Sequence, residues 1–206
     1  MRVIVFGDSI TQGFWDMQGG WVARIRKHYD LKEQKTAGNE PTVFNLGISG
    51  NVSDEVLERI EDETRVRINN QDIAIVIAVG VNDSRIKPSG NVSSPEKYVD
   101  NLGKIAEVAQ KFTDRLLFVG LTPCVDERTN PVAWSNTSYT NERIKIFNEA
   151  LKNFCKDNNF NFIDILSRFN EKQLQTDLLP DGIHPNDEGH QIVADLVHPK
   201  LQEILQ

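Results

Sequence analysis

The amino-acid sequence predicts an α/β protein, a parallel sheet sandwiched between helices. Three observations carry this expectation. Short runs rich in β-branched residues alternate with stretches of helical period, and such alternation implies crossover units. The run over residues 73–79 is apolar at every position, which suits a central strand buried on both faces. Finally, a serine, several glycines, an asparagine, an aspartate and a histidine all follow expected strands. That is the edge where ligands bind in folds of this kind.

Strands are expected at residues 3–6, 42–46, 73–79, 116–121 and 161–163. Between them, Val56, Leu57, Ile60, Thr64 and Ile68 share one helical face, with Ser53 as the N-cap. Tyr98, Leu102, Ile105, Ala106, Ala109 and Phe112 share another, behind Ser94-Pro95 as cap and first helical residue. Ile144, Phe147, Leu151, Phe154 and Cys155 form a third stripe. Ile192, Val193, Leu196, Leu201, Ile204 and Leu205 form the last, with a bend or interruption expected near Pro199. No repeat, low-complexity tract or linker divides the chain, so residues 1–206 read as one domain.

Composition narrows the function. The chain is 39% hydrophobic and 26% charged, as in folded globular proteins. A net charge of −7 argues against nucleic acid as an obligate partner, since phosphate neutralisation needs a dense basic surface. The densest basic stretch, Arg24 to Lys27, alternates with apolar residues and reads as the wet face of a helix. Two cysteines cannot build a disulfide framework. Cys155 lies on an apolar stripe and is expected to be a buried thiol, whereas Cys124, just past a strand, is expected to be partly exposed. Neither has companions at metal spacing, so no metal is expected. The apolar start is too short for a secretory segment, and no stretch approaches the ~20 residues of a membrane span. The chain as written reads as cytoplasmic.

The strand ends carry the chemistry. Gly7-Asp8-Ser9 follows the first strand, Gly47-Ile48-Ser49-Gly50 the second, and Gly80-Val81-Asn82-Asp83 the third. A serine hydroxyl needs a base to take its proton, and the base needs a group to hold its tautomer. Asp-x-x-His occurs three times, at Asp181/His184, Asp187/His190 and Asp195/His198, so spacing alone decides nothing. His190 and His198 lie within the last helical pattern and read as solvated or locally paired. His28 falls in the charged stretch of the first helix. His184 instead lies in a loop, between Gly182 and Pro185. It is therefore the expected base, with Asp181 as its partner and Ser9 as nucleophile. Oxyanion donors are expected from the Ser9 and Gly47 N–H groups and the Asn82 amide.

These segments resemble the blocks of the SGNH/GDSL hydrolases. Gly7-Asp8-Ser9-Ile10 looks like the first, with isoleucine for the usual leucine. Asn45-Leu46-Gly47-Ile48-Ser49-Gly50 is similar to the second, Gly80-Val81-Asn82-Asp83 to the third, and Asp181-Gly182-Ile183-His184-Pro185 to the last. The blocks stand in family order across nearly the whole chain. The resemblance implies a three-layer α/β/α sandwich with a flavodoxin-like five-stranded parallel sheet. It also implies a cofactor-free and metal-free hydrolase of small-molecule esters. Carbohydrate O-deacetylation and lysophospholipid or thioester hydrolysis use the same triad and remain open.

A rival reading makes the Gly7–Thr11 turn a phosphate cradle in a flavodoxin-like binding module. No Gly-x-Gly-x-x-Gly or Walker-type run supports it, and it leaves Asp181 and His184 without a role. Trp15, in the segment after the nucleophile, and Trp134, in the loop after the fourth strand, are expected on the rim of the site as substrate contacts. Trp21 is expected to pack the first long helix on the sheet.

Overall fold

The computed structural model describes residues 1–173 and 175–206. The chain runs β1 (Arg2–Gly7), α1 (Ser9–Gln12), α2 (Gly20–Thr36), β2 (Thr42–Gly47), α3 (Ser53–Ile68) and β3 (Ile73–Ala78). A small hairpin follows, β4 (Ile86–Lys87) and β5 (Gly90–Asn91), then α4 (Pro95–Gln110), β6 (Leu116–Val119), α5 (Asp126–Thr129) and α6 (Asn141–Asp157). The chain closes with β7 (Asn161–Ile163), α7 (Ile165–Gln173) and α8 (Asp187–Ile204). Each strand expected from sequence forms. The fourth stops at Val119, two residues early.

The main sheet has five parallel strands in the order β2-β1-β3-β6-β7, the flavodoxin-like arrangement. Because side chains alternate along a strand, β1 sends Val3 and Val5 to one face and Ile4 and Phe6 to the other. The first pair joins a core with Trp21, Ile25, Val76, Leu117, Val193 and Val197, under α2 and α8. The second joins Val56, Ile60, Ile75, Leu102, Phe118 and Phe147, under α3, α4 and α6. Residues 73–77 of β3 are buried throughout, so a strand without alternation is what a two-faced core demands. Trp21 is 1% exposed and packs α2 on the sheet, as expected.

Several local expectations are corrected. Ser53 is not the cap of α3 but its first residue. Val52 is the N-cap, its N–H held by Glu55 at 2.8 Å, while the Ser53 N–H and hydroxyl both turn to buried Asp83. The last helix continues through Pro199, since tertiary packing of Val197 and Leu201 outweighs one lost backbone bond. Arg24 does not lie on a wet face. Its guanidinium grips Asp16 at 2.9 Å, with side-chain exposures of 11% and 0%. Cys124 is buried, not partly exposed, and its thiol is pushed up to about 12, as is that of buried Cys155, in both cases chiefly by burial.

Candidate active site

Register places the site. Gly7 of β1 pairs with Gly47 of β2 and Ala78 of β3, so all three strands end level. The chain leaves β1 at Asp8, which caps the short helix α1 by accepting the Ile10 N–H at 3.0 Å. Ser9 is therefore the first helical residue. Its N–H has no intrahelical acceptor, and its hydroxyl stands at the sheet edge.

The other half of the site comes from the segment before α8. Asp181 Oδ1 accepts the backbone N–H groups of Ile183 (3.0 Å) and His184 (2.8 Å), curling the segment into a tight turn. Gly182 sits within it at φ 95°, a left-handed conformation, and an added Cβ would collide with Arg128 and Thr129. The turn is thus pressed against α5, and Asn186 then caps α8. His184 Nδ1 lies 2.7 Å from Asp181 Oδ2, and Nε2 lies 2.9 Å from Ser9 Oγ. With the Nδ1 proton directed at the carboxylate, Nε2 is left to accept from the hydroxyl. Burial pushes the Asp181 carboxyl up, but hydrogen bonds from the His184 ring and the His184 and Ile183 amides outweigh it. The group is held well below the usual carboxylate range.

Ser9, Ser49, Gly50, Asn82, Trp134 and His184 line a cavity of about 120 Å³ above the Ser9 hydroxyl. Asn82 is 6% exposed and fixed on both sides of its amide. Its Oδ1 accepts the Tyr139 hydroxyl proton at 2.8 Å, and its Nδ2 donates to the Asn51 carbonyl at 3.1 Å. Behind it lie two buried carboxyls, Asp8 and Asp83, each raised to about 6 chiefly by burial.

Gly47, expected as an oxyanion donor, does not meet this cavity. Its N–H donates to Asn45 Oδ1 at 2.9 Å, and the space a Cβ would need is filled by the backbone of α1 at Gln12, Thr11 and Asp8. Its glycine is a packing requirement that lets α1 lie on β2. Gly50, three residues on, lines the cavity instead. Both glycines belong to one block, and sequence offers no signal to choose between them.

The two tryptophans come to the site differently. Trp134 lies beside the His184 ring, 6.2 Å between centroids and 29° between planes, and is 56% exposed. Trp15 reaches the carboxylate rather than the cavity. Its indole N–H donates to Asp181 Oδ2 at 2.7 Å, and its backbone takes φ 63°. The loop that carries it is organised by Asp16, which accepts from Gln18 N, Gly20 N and Arg24. His190, expected to be solvated or locally paired, is fully buried; its Nε2 donates to the Phe14 carbonyl at 3.0 Å, and burial lowers its pKa. Tyr139 and Arg85 were not anticipated at the site, since a lone tyrosine at a loop end and an arginine after Asn-Asp-Ser carry no sequence signature.

A hydroxyl, an imidazole and a carboxylate in series at the carboxyl edge of a parallel sheet are the arrangement of hydrolases that work by nucleophilic attack. The chain belongs to the GDSL-like lipase/acylhydrolase family, which it matches over residues 5–192. It is a carboxylic ester hydrolase of the GDSL type. It is 25% identical to the GDSL esterase/lipase WDL1 of Oryza sativa subsp. japonica, across 97% of this chain and 77% of that one. It is 24% identical to a GDSL esterase/lipase of Arabidopsis thaliana, across 98% and 86%. Among solved structures, the lipase/acylhydrolase from Enterococcus faecalis superposes with a TM-score of 0.77 at 21% identity, covering 98% of this chain and 96% of that one. The acetylxylan esterase Axe2 from Geobacillus stearothermophilus superposes with a TM-score of 0.76 at 19% identity, covering 97% and 93%. Among the described residues, no helix is long and apolar enough to cross a membrane.

Proposed function

We propose that the chain hydrolyses small carboxylic esters through an acyl-enzyme on Ser9. The observation that carries this reading is the unbroken series Ser9 Oγ–His184 Nε2 at 2.9 Å and His184 Nδ1–Asp181 Oδ2 at 2.7 Å. His184 takes the hydroxyl proton as Oγ attacks the ester carbonyl, and Asp181 stabilises the imidazolium that results. The Ser9 N–H, the Gly50 N–H and the Asn82 Nδ2 are the proposed donors to the oxyanion, with Gly50 in the role first expected of Gly47. His184 then protonates the departing alcohol, and water repeats the sequence on the acyl-enzyme.

The cavity supports small substrates, because about 120 Å³ falls well short of the ~300 Å³ at which drug-sized ligand pockets begin. A phosphate cradle at the Gly7–Thr11 turn gains no support. The Ile10 N–H that would hold the anion already belongs to Asp8, whose carboxylate would repel a phosphate. A second reading, deacetylation of acetylated carbohydrates, is favoured by the open face of Trp134 beside His184, a platform on which a sugar ring can lie. The likeness to an acetylxylan esterase fold is consistent with it.

A panel of chromogenic acyl esters from acetyl to decanoyl, with acetylated sugars alongside, tests both readings. Turnover is expected to be highest at the short end and abolished in Ser9→Ala. Undiminished hydrolysis by that variant would sink the scheme.

A further inference from the structure

Arg85 stands in the wall of the cavity above Ser9 and, among the described residues, has no counter-ion. It follows Asn82-Asp83-Ser84 and precedes β4, where Ile86 and Ser138 exchange backbone hydrogen bonds at 2.8 Å each way. That antiparallel bridge sets Arg85 opposite Tyr139, with both side chains on the cavity side. The Tyr139 hydroxyl donates its hydrogen bond to Asn82 Oδ1, which leaves only its oxygen to face Arg85. Among the described residues the Arg85 side chain makes no ion pair; its guanidinium meets the neutral Tyr139 hydroxyl, and its Nε is buried without a partner.

The contrast with the other arginines is sharp. Arg59 is held by Asn51, Glu63 and the carbonyls of Gly7 and Leu46, and Arg143 by the carbonyls of Ser84 and Ser93. Arg24 and Arg128 grip Asp16 and Asp177. Among the described residues, Arg85 alone is an arginine with neither a carboxylate in ion-pair range nor a carbonyl on its guanidinium. A partly buried guanidinium without a counter-ion is costly, and its planar fork is shaped to hold a carboxylate by two parallel bonds.

We propose that Arg85 selects esters that carry a second, ionised carboxylate, which it binds while Ser9 attacks the ester carbonyl. The inference rests on the hydrolase reading above and adds the substrate class. The carboxylate can belong to the acyl part, as in the half-ester of a short dicarboxylic acid, or to the alcohol part, as in the acetyl ester of a hydroxy acid. The shared chemistry is the anion within reach of Arg85.

The test compares matched pairs of chromogenic esters in the wild-type enzyme, Arg85→Gln and Arg85→Lys. One arm sets an aryl hemisuccinate against the aryl butyrate; the other sets an acetylated hydroxybenzoate against phenyl acetate. In one arm the anionic member is expected to have the higher kcat/KM, by on the order of tenfold or more. The advantage should shrink with added salt, vanish in Arg85→Gln and return in part in Arg85→Lys. Equal kcat/KM within both pairs in wild type would overturn the proposal. So would an Arg85→Gln that slows every ester by the same factor, since the arginine would then only support Tyr139 and Asn82. Thermal unfolding of the variants separates either outcome from a folding defect. Hydrolysis of the neutral esters that depends on Ser9 but shows no anionic preference defeats this inference alone. Absence of turnover on every ester defeats the hydrolase reading, and this one with it.

Discussion

Replacing Tyr139 with phenylalanine removes one hydroxyl and tests how the oxyanion site is organised. The hydroxyl is buried and donates to Asn82 Oδ1 at 2.8 Å, which leaves Nδ2 as the end of the amide that can serve an oxyanion. On the far side Nδ2 donates to the Asn51 carbonyl at 3.1 Å, so a flipped amide would set oxygen against oxygen there. Nδ2 also makes a long contact of 3.5 Å to Asp8 Oδ2, so Tyr139→Phe removes one of three constraints. A neutral hydrogen bond is worth about 0.5–1.5 kcal/mol net, so kcat should fall about 2- to 12-fold with KM little changed. Asn82→Ala removes the donor itself and should lower kcat about 10²- to 10³-fold. Because the tyrosine acts through the asparagine, the double variant should be no slower than Asn82→Ala alone. Steady-state kinetics on one short-chain ester for the four enzymes completes the cycle. Multiplied losses in the double variant, or a Tyr139→Phe effect confined to KM, would refute the reasoning.

Three further outcomes follow from the same geometry. Trp15→Phe removes an indole N–H from Asp181 Oδ2; as Trp15 is 63% exposed, water replaces part of the bond, and kcat should fall by up to about tenfold with KM unchanged. A rise in KM alone would return Trp15 to the substrate rim. Gly47→Ala drives a Cβ into the backbone of α1 and should cost about 1–3 kcal/mol in urea unfolding while displacing Ser9; wild-type stability would disprove the packing role. Burial raises Asp83 from 3.8 to about 6, so the folded protein holds this proton through a window in which the unfolded chain has lost it. The contribution of Asp83 to stability therefore declines as pH rises from about 4 to about 6. Asp83→Asn removes that decline, and its stability relative to wild type should improve between about pH 4 and about pH 6.5; a constant difference between them would contradict it.

Sequence by itself determined the layers, because burial on two faces leaves a readable trace. An unbroken apolar run marks β3, and periodic stripes mark α3, α4 and α6. It also singled out Ser9, Asp181 and His184, which lie in one hydrogen-bonded series, since a serine after a strand and a loop Asp-x-x-His bracketed by Gly182 and Pro185 carry local turn chemistry. Only the tertiary structure showed which of Gly47 and Gly50 borders the cavity. The choice depends on whether α1 or the cavity occupies the space beside each backbone, and that space is set by strands far apart in the chain. The same holds for Trp15 on Asp181, Tyr139 on Asn82 and Arg85 beside Tyr139. Their separations of 166 and 57 residues along the chain leave no period or spacing to read, because such contacts exist only once the sheet edge has gathered its loops.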